Sequence, residues 1–181
     1  IWQGDYMQDK HNNVGCRLLI TNVAKKLNNV VDTITEGSGE EARVQTVTYM
    51  QYMLEYVSQL QADIAVIQEP GLIYGTQSSI HFWAREKGYE AIVATTMDSK
   101  TAGMVVLLGD KWKKVKTTQT VVTDEQGDAR VIHIEFVAKH KVGNEPLQRM
   151  LLTCVYGYVN PDARKQKTPS NHMWSSVFHK H

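Results

Sequence analysis

Two apolar runs end in polar groups that could do chemistry. In "ADIAVIQEP", residues 62–70, the run reaches Gln68 and Glu69 and stops at Pro70, and in "CRLLITNV", residues 16–23, a second run delivers Asn22. One carboxylate plus waters is how proteins usually hold magnesium, a hard ion that keeps much of its hydration and binds substrate phosphate directly. An amide beside that carboxylate can hold a water or a phosphate oxygen without adding charge. Glu69 and Asn22 at one sheet edge would therefore suit phosphodiester chemistry assisted by Mg2+ or Mn2+. Against this stands the ordinary fate of a strand-terminal acid, which is to solvate a loop.

The elements around them decide whether the two side chains can meet. Ile64, Ala65, Val66 and Ile67 show no alternation, as expected of a strand covered on both faces, and Pro70 cannot donate a ladder hydrogen bond, so that strand ends near Glu69. "CRLLITNV" reads as a strand rich in branched residues. Val44, Val47, Met50, Met53, Leu54, Val57 and Leu60 recur at three- and four-residue steps and predict a helix between the two strands. The stretch before it, "KKLNNVVDTITEGSGEEAR", reads as an excursion broken at residues 37–39. Strand, helix, strand makes the two strands parallel neighbours, so Asn22 and Glu69 should emerge together at the carboxyl end of the sheet, where ligand sites collect. A shorter helix around "SSIHFWAREKG" then precedes "YEAIVA", followed by a polar loop, "GMVVLL", and the strands "VKTTQTVV", "ARVIHIEFV" and "QRMLLTCVYGYV". A last helix is expected in "TPSNHMWSSVFHKH", with a Thr168 or Ser170 cap and Met173, Trp174, Val177 and Phe178 on one face. The sum is an α/β chain, a mixed sheet with helices on one side and its other cover left open.

Composition narrows the class. With 181 residues, 42% hydrophobic and 22% charged, the chain suits one folded domain, 1–181. No apolar run approaches the ~20 residues of a membrane span. The opening "IWQGDYMQDK" does not begin with Met and has no basic and apolar leader, so an excised segment of a longer product is expected. Cys16 and Cys154 form no disulfide framework and read as buried thiols of a reducing, intracellular compartment. From residue 139 to 181 there are seven Lys or Arg against two acids, a basic end that could face nucleic-acid phosphates. Other chemistries find no support: no zinc spacing, no nucleophile elbow and no P-loop, and His133 in "RVIHIEF" reads as a satisfied strand histidine.

The order of these elements resembles the endonuclease/exonuclease/phosphatase superfamily, the DNase I-like fold. The resemblance is carried by "LLITNV", an amphipathic helix, "ADIAVIQEP", a helix, "YEAIVA", "GMVVLL", "ARVIHIEF" and "LLTCVYGYVNP", covering roughly residues 16 to 180. It implies half of a four-layer α/β sandwich in which Glu69 ligates the divalent ion, Asn22 and Tyr156 contact the phosphate, and Asn160 supplies a further polar contact. It also implies nucleic acid, DNA first, as partner, held by loop residues such as Lys100, Lys165 and Lys167, and an intracellular setting with the nucleus as one candidate. Within the family the chain is nearest the apurinic-endonuclease-like and non-LTR retrotransposon endonuclease domains. The same residues would serve a superfamily phosphatase acting on inositol phosphates or lipids, and a non-catalytic binding or assembly module is the third reading. Departures exist: Thr21 stands at the family's Trp position, Pro70 follows Glu69, and Arg130 near the family's Gly-Arg reads as strand-edge. Neither Gly-Asp-x-Asn nor Ser-Asp-His, which carry the rest of the family's catalysis, occurs in the sequence. The chain is therefore expected to be the first half of the fold, with one sheet face bare, prone to self-association or to pairing with a C-terminal half.

Overall fold

A computed structural model describes residues 15–24, 26–37, 43–72, 75, 77–95, 103–124, 127–138 and 148–157. The loops and tail that hold Lys100, Asn160, Lys165 and Lys167, and the expected last helix, lie outside the described residues.

The branched run at the start forms β1 (Leu18–Asn22), and the apolar run before Glu69 forms β4 (Ile64–Gln68). They pair in parallel, Leu18 opposite Ile64 through Asn22 opposite Gln68, as the crossover argument requires. β6 (Met104–Leu108) lies antiparallel on the other side of β4, and β5 (Glu90–Ala94) closes the sheet, in the order β1-β4-β6-β5. Every residue of β6 and all of β4 but Gln68 is buried, which is why neither strand alternates.

Two helices cover one face of this sheet. α1 (Tyr49–Gln59) turns Met50, Met53, Leu54 and Val57 inward, and α2 (Ser78–Glu86) adds Ile80 and Ala84, all packed with Ala65, Ile67, Val105 and Leu107. α1 begins at Tyr49, five residues after the apolar stripe starts, because Val44 and Val47 belong to a strand. Between β1 and α1 the chain makes a two-stranded antiparallel ribbon, β2 (Val30–Glu36) with β3 (Arg43–Thr48), where an excursion was expected. Alternating Val, Thr and Ile favour extended backbone here. Thr48 then caps α1 reciprocally with Gln51: Gln51 N–H donates to Thr48 Oγ1 and Thr48 N–H donates to Gln51 Oε1 at 2.8 Å.

The opposite face is not bare. β7 (Lys116–Thr123), β8 (Ala129–Val137) and β9 (Arg149–Val155) form a second, antiparallel sheet in the order β7-β8-β9, entered through the short turn α3 (Asp110–Lys113). Ala129, Ile132, Ile134 and Phe136 of β8 and Cys154 of β9 pack against Ile64, Val66, Ile92, Ala94, Met104 and Val106. Three layers therefore stack within this chain, helices, mixed sheet and antiparallel sheet, so the expectation of a sheet face left without its cover is corrected. What stays exposed is an edge: Leu18 and Ile20 of β1 share the orientation of Ile64 and Val66 but are 45% and 57% exposed, since the second sheet does not reach over them. Met150 and Leu151 of β9 are exposed as well. Cys154 is buried as read, whereas Cys16 is exposed, because it precedes β1. Among the described residues no helix is long and apolar enough to cross a membrane.

Candidate functional site

Two strand ends meet where the two sheets join, and a third lies beside one of them. β4 finishes at Gln68, and Glu69 follows with φ 49, in the left-handed region that suits glycine and strains other residues. Pro70 and Gly71, at φ 72, complete the turn, and Leu72 anchors it in the helix-side core. Across from it β9 ends at Val155, and Tyr156, 6% exposed, packs in the inter-sheet core. The Tyr156 hydroxyl donates to Glu69 Oε1 at 2.6 Å, the short distance expected of a hydroxyl on a carboxylate. Residues 87 positions apart are thus joined, and this contact answers why an acid should close a buried strand beside a turn.

The electrostatics follow from that geometry. Burial first, then the hydrogen bond to Glu69 and its charge, push the Tyr156 phenol up to about 12, with Arg130 acting the opposite way. At neutral pH the phenol keeps its proton and serves Glu69 as a donor. Glu69 itself is half-buried, and its second oxygen, Oε2, has no hydrogen-bond partner among the described residues.

Asn22 arrives where the sequence places it, in register with Gln68 and one residue from the level of Glu69. Its side chain is exposed, and its Oδ1 accepts from the Ala24 N–H at 2.9 Å, a local turn that supports Ala24 at φ 47. Asn22 and Glu69 therefore share one end of the sheet, while the direct side-chain contact is between Glu69 and Tyr156. Asn160, Lys100, Lys165 and Lys167 lie outside the described residues.

Arg130 departs from its reading as a strand-edge residue. β8 is the central strand of the second sheet, and Arg130 on it is 2% exposed. Its Nε donates to Asp124 Oδ2 at 3.1 Å and its terminal nitrogen to Asp128 Oδ2 at 3.2 Å. Its guanidinium carbon stands 5.7 Å from the centre of the Tyr156 ring. The signal was present in "DEQGDAR", where Asp124 and Asp128 stand on either side of a glycine just before the arginine, since a buried cation needs such partners. His133 Nδ1 lies 3.0 Å from Thr153 Oγ1.

Among the described residues no three His, Cys, Asp or Glu side chains gather closely enough to cage a metal. Magnesium does not require a cage; one or two carboxylates suffice, with waters and substrate phosphate completing the shell. A carboxylate with one oxygen fixed by Tyr156, and the other without a hydrogen-bond partner among the described residues, fits that demand.

No family model matches the chain, and no curated protein does. Among solved structures it is similar to the AP endonuclease LMAP from Leishmania major, with a TM-score of 0.55 at 13% identity over 88% of this chain and 47% of that one. ANGEL2, a 2',3'-cyclic phosphatase, is similar in its complex with adenosine-2',3'-vanadate at a TM-score of 0.40, 12% identity, over 60% of this chain and 32% of that one. A second ANGEL2 structure gives 0.38 at 10% identity, over 63% and 32%. The two ANGEL2 scores are too low to carry weight. The chain spans about half the length of the Leishmania endonuclease. A parallel β1/β4 pair inside a mixed sheet, helices on one face and an antiparallel sheet on the other, with a TM-score above one half to an endonuclease of this architecture, make the fold of this chain DNase I-like.

Proposed function

We propose that this chain is the N-terminal part of a metal-dependent phosphodiesterase that cuts nucleic acid, endonuclease-like, with DNA as its substrate. The observation that carries the reading is the Tyr156 hydroxyl on Glu69 Oε1 at 2.6 Å, at the mouth between the two sheets. Glu69 is the residue that would hold Mg2+ or Mn2+, and the bound ion would supply positive charge for the phosphate and the leaving oxygen. Tyr156 keeps the carboxylate turned, so that Oε2 is left for that task. Asn22, at the adjoining strand end, offers its amide nitrogen to a phosphate oxygen. Lys100, Asn160, Lys165 and Lys167 add contacts to the nucleic-acid backbone, which makes binding weaken with salt. The acid/base groups of the reaction come from outside this sequence, in a C-terminal half continuous with it or paired to it.

The test is nicking of supercoiled plasmid in Mg2+, by the chain and by any longer product that carries it. Where nicking is seen, Glu69→Gln should lower it about 100-fold or more, the scale on which lost transition-state charge stabilisation acts. Nicking that survives both Glu69→Gln and EDTA removes Glu69 and the metal from the reaction.

A further inference from the structure

Arg130 is the buried cation that the phosphodiesterase reading leaves without a task. It touches Tyr156 twice. The guanidinium lies over the aromatic ring at 5.7 Å from its centre, and the Arg130 carbonyl accepts the Tyr156 N–H at 2.8 Å. A cation within about 6 Å of a ring face is attracted by the ring's quadrupole, more strongly when both are out of water. Both are: Arg130 is 2% exposed and Tyr156 6%. The guanidinium is itself fixed by Asp124 at 3.1 Å and Asp128 at 3.2 Å, through two different nitrogens. Two acids on a planar fork set the orientation of that plane, which a single point charge could not do. The Tyr156 side chain leaves this grip in one direction, and in that direction its hydroxyl reaches Glu69.

We propose that Arg130 is a positioning residue for Tyr156: clamped by Asp124 and Asp128, it holds the ring so that the hydroxyl donates to Glu69, and thereby sets the carboxylate that meets the divalent ion. Only the last step rests on the proposed function; the hold on Tyr156 does not. The arrangement runs through one side chain after another, from two acids to an arginine, a phenol and a third acid, across the junction of both sheets. It makes the state of Glu69 depend on a cation that is itself buried.

The experiment uses the chain carrying tyrosine labelled with 13C at Cζ, with the Tyr156 resonance assigned by its loss in Tyr156→Phe. In the parent, Glu69→Gln should move this resonance, because the hydroxyl loses a charged acceptor. The same Glu69→Gln change should move it by less than half as much both in Arg130→Lys, which keeps the charge without the planar fork, and in Arg130→Met. A purely structural role would lower the melting temperature of both Arg130 variants and leave the response to Glu69→Gln intact; that result overturns the proposal. Should Arg130→Met not fold, Asp128→Asn keeps the arginine and releases one anchor, and a Tyr156 resonance unmoved by it overturns the proposal equally. Calorimetric titration with Mn2+ reads the last step: affinity should fall about tenfold in Arg130→Met, as when a metal ligand loses its outer support. A parent chain that binds no Mn2+ refutes the metal reading, while the resonance comparison still decides the role of Arg130.

Discussion

Glu69 occupies a backbone conformation that a side chain makes costly, on the order of 1–3 kcal/mol, and it stands directly before a proline. Strain of this kind persists where the surroundings over-determine it, here by the β4 ladder on one side and the buried Leu72 on the other. Relieving it should therefore stabilise the chain at the expense of the acid. Glu69→Gly is expected to melt higher than Glu69→Ala, by the equivalent of about 1 kcal/mol, because both lose the carboxylate and only glycine suits φ 49. Thermal denaturation of the two variants checks this. Cys154 gives a second residue-scale expectation. Burial pushes its thiol from 9.0 up to about 11. Between those values the unfolded chain releases a proton that the folded chain retains, so stability falls as pH rises through the window and is fully present below it. Denaturant unfolding between pH 9 and 11 should show a flatter loss in Cys154→Ala than in the parent. The positions of Glu69 and Asn22 were legible in the sequence because each closes an apolar run beside a turn residue or a polar stretch, whereas Tyr156 came only from the family resemblance. Arg130 was misread because burial of a charge is decided by partners, and Asp124 and Asp128 were not weighed with it.

At the scale of elements, the capping box at Thr48 marks where strand gives way to helix. Val44 and Val47 fit a helical period, yet they lie on β3, because Val30–Glu36 supplies an antiparallel partner that periodicity within one segment cannot reveal. The capping pair Thr48 and Gln51 was the available local sign of the true start. Thr48→Ala should cost about 1 kcal/mol, or about 2–4 °C in melting temperature for a chain of this size, and leave the ribbon paired. Circular dichroism through the melt reads the shift. β4 and β6 were the easiest strands to recognise, since burial on both faces removes alternation.

For the molecule as a whole, the layer that sequence reasoning left open is built from strands of the same chain. Three late strands alternate just enough to show one apolar face, but the pattern does not say which sheet they cover. The second sheet stops short of β1, so Ile20 and Leu18 carry the exposed apolar edge instead of a whole face. Self-association, if it occurs through this edge, should be sensitive to one charge. Ile20→Lys is expected to lower the weight-average mass seen by analytical ultracentrifugation at high concentration, since lysine on a strand edge opposes edge-to-edge pairing. An unchanged mass distribution places any contact elsewhere.

The 87 positions that separate Tyr156 from Glu69 also carry a consequence in time. At roughly 5–20 residues per second, a ribosome makes the acid about 4–17 s before the hydroxyl that will hold it. During that interval β1, α1 and β4 can already assemble, while the inter-sheet face of β4 waits for β8 and β9. The nascent chain therefore passes through a stage that is sticky and has no finished site, and the contact that joins Glu69 to Tyr156 forms only once β9 has followed.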